Sequence, residues 1–439
     1  MQPVRTVNVG IIGLGTVGGG VVKLIRRNAA RYLAMQDIDL RIARACARHE
    51  ERARELGLAP EVFTTDWHEV TEDAEVDIVV EVIGGEHPAL DIMLDAFAHG
   101  KHVVSANKAL LARRMDEIAR TARGNGAALR CEAAVAGGIP IVSTLEHDLA
   151  GNRILAVAGI MNGTTNYILS RMANEGLSYD EVLADAQRLG YAEADPTADV
   201  DGLDAAAKIA ILASIAFGTR VSAGDVYTEG IRAIEADDIA LARELGYTIK
   251  LLAGASEGPD GVNAHVYPTL VESGHMLAGV SGAMNAVSVV GDGVGETMFY
   301  GAGAGAFPTA SAVVGDVLAL AEPIARGMQP IAEPEPYGRA LPIASQDTAE
   351  TGYYVRLRAD AIQATDAAIA ALAAQGVDVV RSAIRQDDDL QIALITDSHT
   401  DADLRRIIES LKDCAHILDI AQTIRVEDIR SWSDAALEN

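Results

Sequence analysis

The sequence predicts an α/β protein with a doubly wound parallel sheet at its N-terminus, an α+β region after it and a small βαββαβ module at its C-terminus. Three observations predict this. An apolar strand runs into a glycine turn and a helix within the first 25 residues. Strands and helices then alternate to about residue 145. A proline-rich stretch precedes a second, shorter alternation beyond residue 350. At 439 residues the chain is too long for one hydrophobic core, and about 150 residues per domain suggests two or three.

The elements follow in order. Val7–Ile12 is a short apolar strand, Gly13-Leu14-Gly15-Thr16-Val17-Gly18 a turn, and Val21, Val22, Leu24 and Ile25 recur at helical spacing. Leu40–Ala47, Asp77–Ile83 and His102–Ser105 read as further strands with helices between them. From about Gly151 the pattern is mixed. Ile160–Met172, Tyr179–Leu189 and Asp201–Phe217 read as helices, whereas Ile249–Ala255, Val262–Tyr267 and Ala286–Val290 read as strands able to pair antiparallel. Gly291–Gly305 is glycine-rich and opens a helix at Pro308–Ala321. Glu322–Ser345 holds Pro323, Pro330, Pro334, Pro336 and Pro342 and reads as a linker that cannot continue a helix. Beyond it come strand Tyr353–Leu357, helix Ala364–Ala374, strands Val377–Ile384 and Leu390–Thr396, helix Asp401–Leu411 and strand Ile417–Val426.

Composition excludes several function classes. There are 36 Lys+Arg against 63 Asp+Glu, a net charge of −27, so nucleic acid and anionic membranes are not expected partners. With 49% hydrophobic residues the chain can fill a core, and at 4% aromatics that core is aliphatic. No apolar run reaches the roughly 20 residues of a spanning helix, and the N-terminus has no basic-then-apolar leader. Cys46, Cys131 and Cys414 are far apart and without CxxC spacing, which argues against a disulfide framework or zinc site and for a reducing cytoplasm.

The glycine turn is the first chemical signal. Gly13, Gly15 and Gly18 between strand and helix suit a tight turn, close backbone approach to a pyrophosphate and close helix–strand packing, the Rossmann-type arrangement. Thr16 and Val17 share the phosphate-facing helix start. At the end of the second strand an acid would select NAD and an arginine NADP. The chain has Cys46-Ala47-Arg48-His49, so Arg48 favours NADP, with NAD as the alternative.

The second signal is Gly190-Tyr191-Ala-Glu193-Ala-Asp195-Pro-Thr-Ala-Asp199-Val-Asp201-Gly-Leu-Asp204, followed by Lys208. Asp204, Lys208, Ile211 and Ile215 share one helical stripe, so two charged groups head a face that becomes apolar. Asp201 fits the N-cap of that helix. An exposed Asp204–Lys208 pair would add only a few tenths of a kcal/mol to the helix. A lysine desolvated among carboxylates is instead a proton donor suited to carbonyl reduction.

This stretch resembles the homoserine dehydrogenase signature, with Ala186, Gly190-Tyr191, Asp195-Pro196, Asp199-Val200, Gly202, Asp204 and Lys208 in order. Ser105-Ala106-Asn107-Lys108, Ala136-Gly137-Gly138-Ile139-Pro140 and Gly159-Ile160-Met161-Asn162-Gly163-Thr164-Thr165-Asn166-Tyr167 extend the resemblance over about residues 5–325. It implies NAD(P)-dependent interconversion of L-homoserine and L-aspartate 4-semialdehyde. Lys208 then corresponds to the proton-transferring lysine, and Lys108, with Ser105, to positions beside the nicotinamide. Glu193 and Asp199 correspond to acids holding the substrate amino group, and Asp204 to the acid facing Lys208. Tyr191 and Thr164 correspond to substrate contacts, and Glu132, Val135 and Gly137 to a sodium-type monovalent cation site. The family further implies a homodimer or homotetramer.

Gly301–Gly305 resembles the segment that returns to the cofactor domain. Residues Tyr353–Val426 resemble an ACT domain, which implies L-threonine as effector. Its first loop, Asp360-Ala-Ile-Gln-Ala-Thr365, lacks the expected Pro-Gly pair, so retained sensing and a purely structural role stay open. The expected division is a dinucleotide-binding domain at 1–145, a catalytic and dimerisation domain at 146–305, a returning helix at 306–325, a linker at 326–350 and the ACT-like domain at 351–432. Two other readings are another NADP-linked amino-acid semialdehyde dehydrogenase, which would lack the full Glu193-to-Lys208 order, and a non-enzymatic dinucleotide and amino-acid sensor, which would not need Lys108 and Lys208.

Overall fold

The computed structural model describes residues 5–331, 337–386 and 389–427. They form two compact units, one from 1–150, 210–223 and 299–340, the other from 151–209, 224–298 and 341–439. This grouping is not linear, because 210–223 and 299–340 pack with the N-terminal region.

The first unit is built on β1 (Thr6–Ile12), β2 (Asp39–Cys46), β3 (Phe63–Thr64), β4 (Ile78–Glu81), β5 (His102–Ser105) and β6 (Leu129–Arg130). All pair parallel in the order β3-β2-β1-β4-β5-β6, the doubly wound arrangement expected from the glycine turn and alternation. The four anticipated strands are present. β3 and β6 were not anticipated, since two residues carry no period. Val7, Val9 and Ile11 of β1 pack with Val21 and Ile25 of helix Thr16–Gln36 and with Val313, Val317 and Leu320 of helix Ala306–Ala325. The two helices meet at Gly20, where a Cβ would lie 2.6 Å from the Ala306 carbonyl.

Helix Ala306–Ala325 corrects two expectations. It is 20 residues long with mean hydropathy 1.3, long and apolar enough by length and composition to span a membrane. Pro308, Asp316 and Glu322 interrupt the run in the sequence, and the helix serves as a core element, with half of its apolar window buried. Pro323 lies inside its last turn, within the 306–325 span expected of the returning helix and not in a linker that starts at Glu322. There its carbonyl still accepts the Arg326 and Met328 N–H groups.

The second unit contains β7 (Ile154–Ile160), β8 (Tyr227–Thr228), β9 (Tyr247–Gly258), β10 (Gly261–Glu272), β11 (Met284–Gly291), β12 (Gly295–Ala302), β13 (Glu350–Ala359), β14 (Val379–Gln386), β15 (Leu390–Thr396), β16 (His399–Thr400) and β17 (Ile417–Val426). Their sheet runs β12-β11-β7-β9-β10-β17-β13-β15-β14, with β8 beside β10 and β16 beside β13. The β9–β10 hairpin is antiparallel from Glu272↔Tyr247 to Gly261↔Gly258. Two expectations are corrected. Ile160 ends a strand, and the helix begins at Gly163 once Asn162 caps it. The glycine-rich 291–305 stretch contains β12, an edge strand.

The last part of the chain is strand, helix Ala364–Ala373, two strands, helix Asp401–Glu409 and strand, close to the expected βαββαβ order. Its strands lie as β17-β13-β15-β14 and pair antiparallel. They do not form a separate sheet, because Arg425 and Val426 of β17 pair parallel with Thr269 and Leu270 of β10. Pro334 and Pro336 of the expected linker, and 428–432 of the expected module, lie outside the described residues.

Candidate active site

The cofactor side is built from the C-terminal ends of the parallel strands, where strand order reverses on either side of β1. A cleft of about 580 Å³ opens there, lined by the β1 turn (Ile12–Gly15), the β2 end (Cys46–His49), Trp67 and the β4 end (Val82–Gly84). Gly13 adopts φ +106°, and its N–H donates to the Cys46 carbonyl at 2.9 Å. A Cβ at Gly18 would lie 1.8 Å from the Gly13 carbonyl, so helix and turn can pack only without one. At Gly15 a Cβ would meet nothing within 4 Å, because the backbone there faces open space. Gly15 precedes the helix without a capping side chain, Thr16 and Val17 begin it, and no acid occupies its first turn. Those N–H groups suit a pyrophosphate.

Arg48 and His49 are exposed and line this cleft. Arg52 also lines it, its guanidinium donating to the Leu14 carbonyl at 2.9 Å. Among the described residues lining the cleft none is Asp or Glu. Burial pushes the Cys46 thiol up to about 11, with Asp66 and Glu69 adding to the shift, so it is an inert wall.

After β5, the fully buried Ser105 donates to Glu81 at 2.8 Å and accepts the Asn107 N–H at 3.1 Å. Its hydroxyl is thus committed to shaping the loop. Glu81 is itself fully buried, and burial raises its carboxyl. Asn107 accepts the Leu110 N–H, which caps helix Lys108–Gly124 and puts the half-buried Lys108 at its first position.

The second unit assembles the acids and Lys208. Helix Leu203–Phe217 carries Asp204 and Lys208 one turn apart. The Lys208 ammonium donates to Asp204 at 2.8 Å and to the Met161 carbonyl at 2.6 Å, with both side chains under 10% exposed. The Asn162 amide donates to Asp199 at 2.7 Å and to Asp204 at 3.0 Å. Thr164 is the second residue of the adjoining helix, Gly163–Glu175, and donates to the Tyr191 carbonyl at 2.7 Å. The Tyr191 ring stacks on Tyr167 with centroids 4.6 Å apart.

Other members of the acidic run lie outside this hydrogen-bond network. Glu193 is exposed, with its carbonyl taken by Gln187. Asp195 accepts the Thr197 N–H. Asp201 is not the N-cap expected for it. Gly202 occupies that place at φ +82°, and Asp201 pairs with Arg232 at 2.5 Å. Asn162, Met161 and Tyr167 had no role in the sequence reading. An asparagine just ahead of a helix is an N-cap signal, but its grip on two distant acids leaves no local pattern.

Glu132 spends its carboxylate on the N–H groups of Ile141, Val142 and Ser143 at 2.7–2.9 Å, and its own N–H on the buried Asp316. Ala136 and Gly137 both adopt positive φ. The Glu132 carboxylate thus anchors the backbone at 141–143, and the other donors expected at a cation site here are the carbonyls of Val135 and Gly137. Among the described residues no group of three or more His, Cys, Asp or Glu gathers for a metal.

Comparison with known proteins matches residues 13–132 to the homoserine dehydrogenase NAD-binding domain family and 140–318 to the homoserine dehydrogenase family. A homoserine dehydrogenase of Bacillus subtilis is 39% identical over 434 residues, 98% of this chain and 100% of its own length. One from a Synechocystis species is 52% identical over 71% of this chain and 73% of its own. Among solved structures, a homoserine dehydrogenase from Thiobacillus denitrificans aligns with TM-score 0.90 and 41% identity, covering 98% of this chain and 100% of that one. A hyperthermophilic archaeal homoserine dehydrogenase in complex with NADPH aligns with TM-score 0.61 and 27% identity, covering 72% and 97%.

Proposed function

Because the chain belongs to the homoserine dehydrogenase family, and is thus an NAD(P)-dependent oxidoreductase interconverting L-aspartate 4-semialdehyde and L-homoserine, we propose that Lys208 is its proton donor and acceptor. A bound nicotinamide cofactor supplies the hydride exchanged with the aldehyde carbon. As the carbonyl oxygen gains negative charge, Lys208 delivers a proton to it, and in reverse takes the hydroxyl proton. The observation that carries this role is its burial between the Asp204 carboxylate and the Met161 carbonyl, which aims the ammonium. Asp199 and Glu193 hold the substrate ammonium, Thr164 and Tyr191 line its site, and Lys108 acts beside the nicotinamide.

Oxidation of NADPH by the purified enzyme with aspartate 4-semialdehyde, and reduction of NADP⁺ with homoserine, test the assignment directly. Absence of turnover in both directions with either cofactor overturns it.

We further read the cofactor as NADP, with Arg48 meeting the ribose 2′-phosphate. The support is an exposed guanidinium in a cleft whose described lining holds no carboxylate, together with NADPH in the archaeal neighbour. Arg48→Ser should raise KM for NADPH about tenfold or more while leaving KM for NADH nearly unchanged. An equal effect on both cofactors rejects this role.

For the monovalent cation the Glu132 carboxylate is a loop anchor, and no step depends on an ion there. The C-terminal strands are read as a structural extension of the catalytic sheet, since β17 pairs with β10 and the Asp360–Thr365 loop has no glycine. On this reading L-threonine leaves the rate unchanged, and inhibition would restore the effector role. Three free cysteines accord with a reducing cytoplasm.

A further inference from the structure

Asn162 sits between the end of β7 and helix Gly163–Glu175, and its two ends do different work. Its side-chain oxygen accepts the Thr165 N–H at 2.9 Å and lies 3.1 Å from the Thr165 hydroxyl, so it caps the helix. That fixes which way the amide faces. The nitrogen must point away from the helix, where it lies 2.7 Å from Asp199 and 3.0 Å from Asp204. The residue is 4% exposed, so water is a poor substitute for either bond. Two carboxylates held this close repel each other, and an amide offers two donors without adding a charge.

We propose that Asn162 is a positioning residue, whose amide clamps Asp199 to Asp204 and so sets the distance between the substrate's ammonium group and the proton delivered to its carbonyl oxygen. The inference rests on the roles proposed above for Asp199, Asp204 and Lys208. Charged groups facing the amide are Asp199 from the turn Thr197–Val200, and Asp204 and Lys208 from helix Leu203–Phe217. Asp201 is paired with Arg232, and Glu193 and Asp195 are exposed in the loop before.

The cap and the clamp can be separated. Serine is as good an N-cap as asparagine but has no amide, so Asn162→Ser keeps the helix start and loses the clamp. Asn162→Asp also keeps the cap, and it replaces the two donors with a third carboxylate. Asn162→Ser should lower kcat/KM for aspartate 4-semialdehyde about 30- to 100-fold, through both a raised KM and a lowered kcat. KM for NADPH should stay near wild type. Asn162→Asp should be weaker still at neutral pH, but its activity relative to wild type should recover as pH falls, because a protonated carboxyl regains one donor.

Asn162→Ser with wild-type kcat/KM, or Asn162→Asp with a pH profile parallel to wild type, shows that the residue is a helix cap only and overturns the proposal. Lys208→Ala in the same assay separates the two levels. Wild-type inactivity with the semialdehyde, or a fully active Lys208→Ala, removes the underlying reading. An inactive Lys208→Ala beside an unimpaired Asn162→Ser removes this inference alone.

Discussion

Replacing Lys208 with alanine should lower kcat for aspartate 4-semialdehyde reduction about a thousandfold, with a much smaller change in KM for either substrate. A positioned general acid contributes roughly 10²- to 10⁴-fold, and its interaction is made chiefly in the transition state, so the loss falls on kcat. The high end is expected because the ammonium is almost fully enclosed and oriented by two acceptors, Asp204 and the Met161 carbonyl. Lys208→Arg should not rescue it. A guanidinium keeps its proton at any accessible pH, and its planar fork cannot occupy the place of a compact ammonium. Lys208→Met is the better shape control, since alanine also leaves a gap beside Asp204. The check is steady-state kinetics of all three variants, with NADPH binding measured separately by fluorescence. If Lys208→Met retains more than about a tenth of wild-type kcat, the proton comes from elsewhere and the role is withdrawn.

That pair of charges is legible in the sequence alone, because a four-residue step on a helix is a local pattern. So is the glycine turn, where Gly13 and Gly18 leave no room for a Cβ and the Gly15 backbone faces open space. The C-terminal strands and helices were legible through their alternating periods. What could not be read is whatever joins distant segments. Asn162 reaches Asp199 and Asp204 across 37 and 42 residues, and nothing near Asn162 announces them. Ile154–Ile160 is a continuous apolar run, a pattern shared by buried strand and buried helix, and so the strand was missed and the following helix began too early. Asp201 looked like a cap because aspartate often is one. The backbone instead turns at Gly202, and Arg232, 31 residues on, claims the carboxylate. Local chemistry named the reacting groups, while the scaffold that aims them is non-local.

The same limit hid a large stability effect in the second unit. Arg356 on β13 and Asp238 on helix Ala236–Glu244 are both fully buried, 118 residues apart in sequence and 2.6 Å apart in space. Arg356 also donates to Glu235 at 2.7 Å and to Gln391 at 3.2 Å, and Asp238 accepts the Glu235 N–H at 2.9 Å. Asp238→Leu should therefore cost about 3–5 kcal/mol, because it strands a buried guanidinium with only the half-exposed Glu235 as counter-charge. Arg356→Met alone should cost a similar amount by leaving Asp238 uncompensated. The double variant Asp238→Leu, Arg356→Met should be much less destabilised than the sum of its singles, since two apolar side chains of similar size remove both unpaired charges together. Urea unfolding of the four proteins measures this coupling. Additive losses would mean that the pair acts as two independent contacts. A strong coupling would mean that the C-terminal strands are locked to the catalytic unit by a buried charge pair as well as by the β10–β17 ladder. In that case NADPH binding, read from the first unit's glycine turn, should persist in the single variants at temperatures where aspartate 4-semialdehyde reduction has been lost.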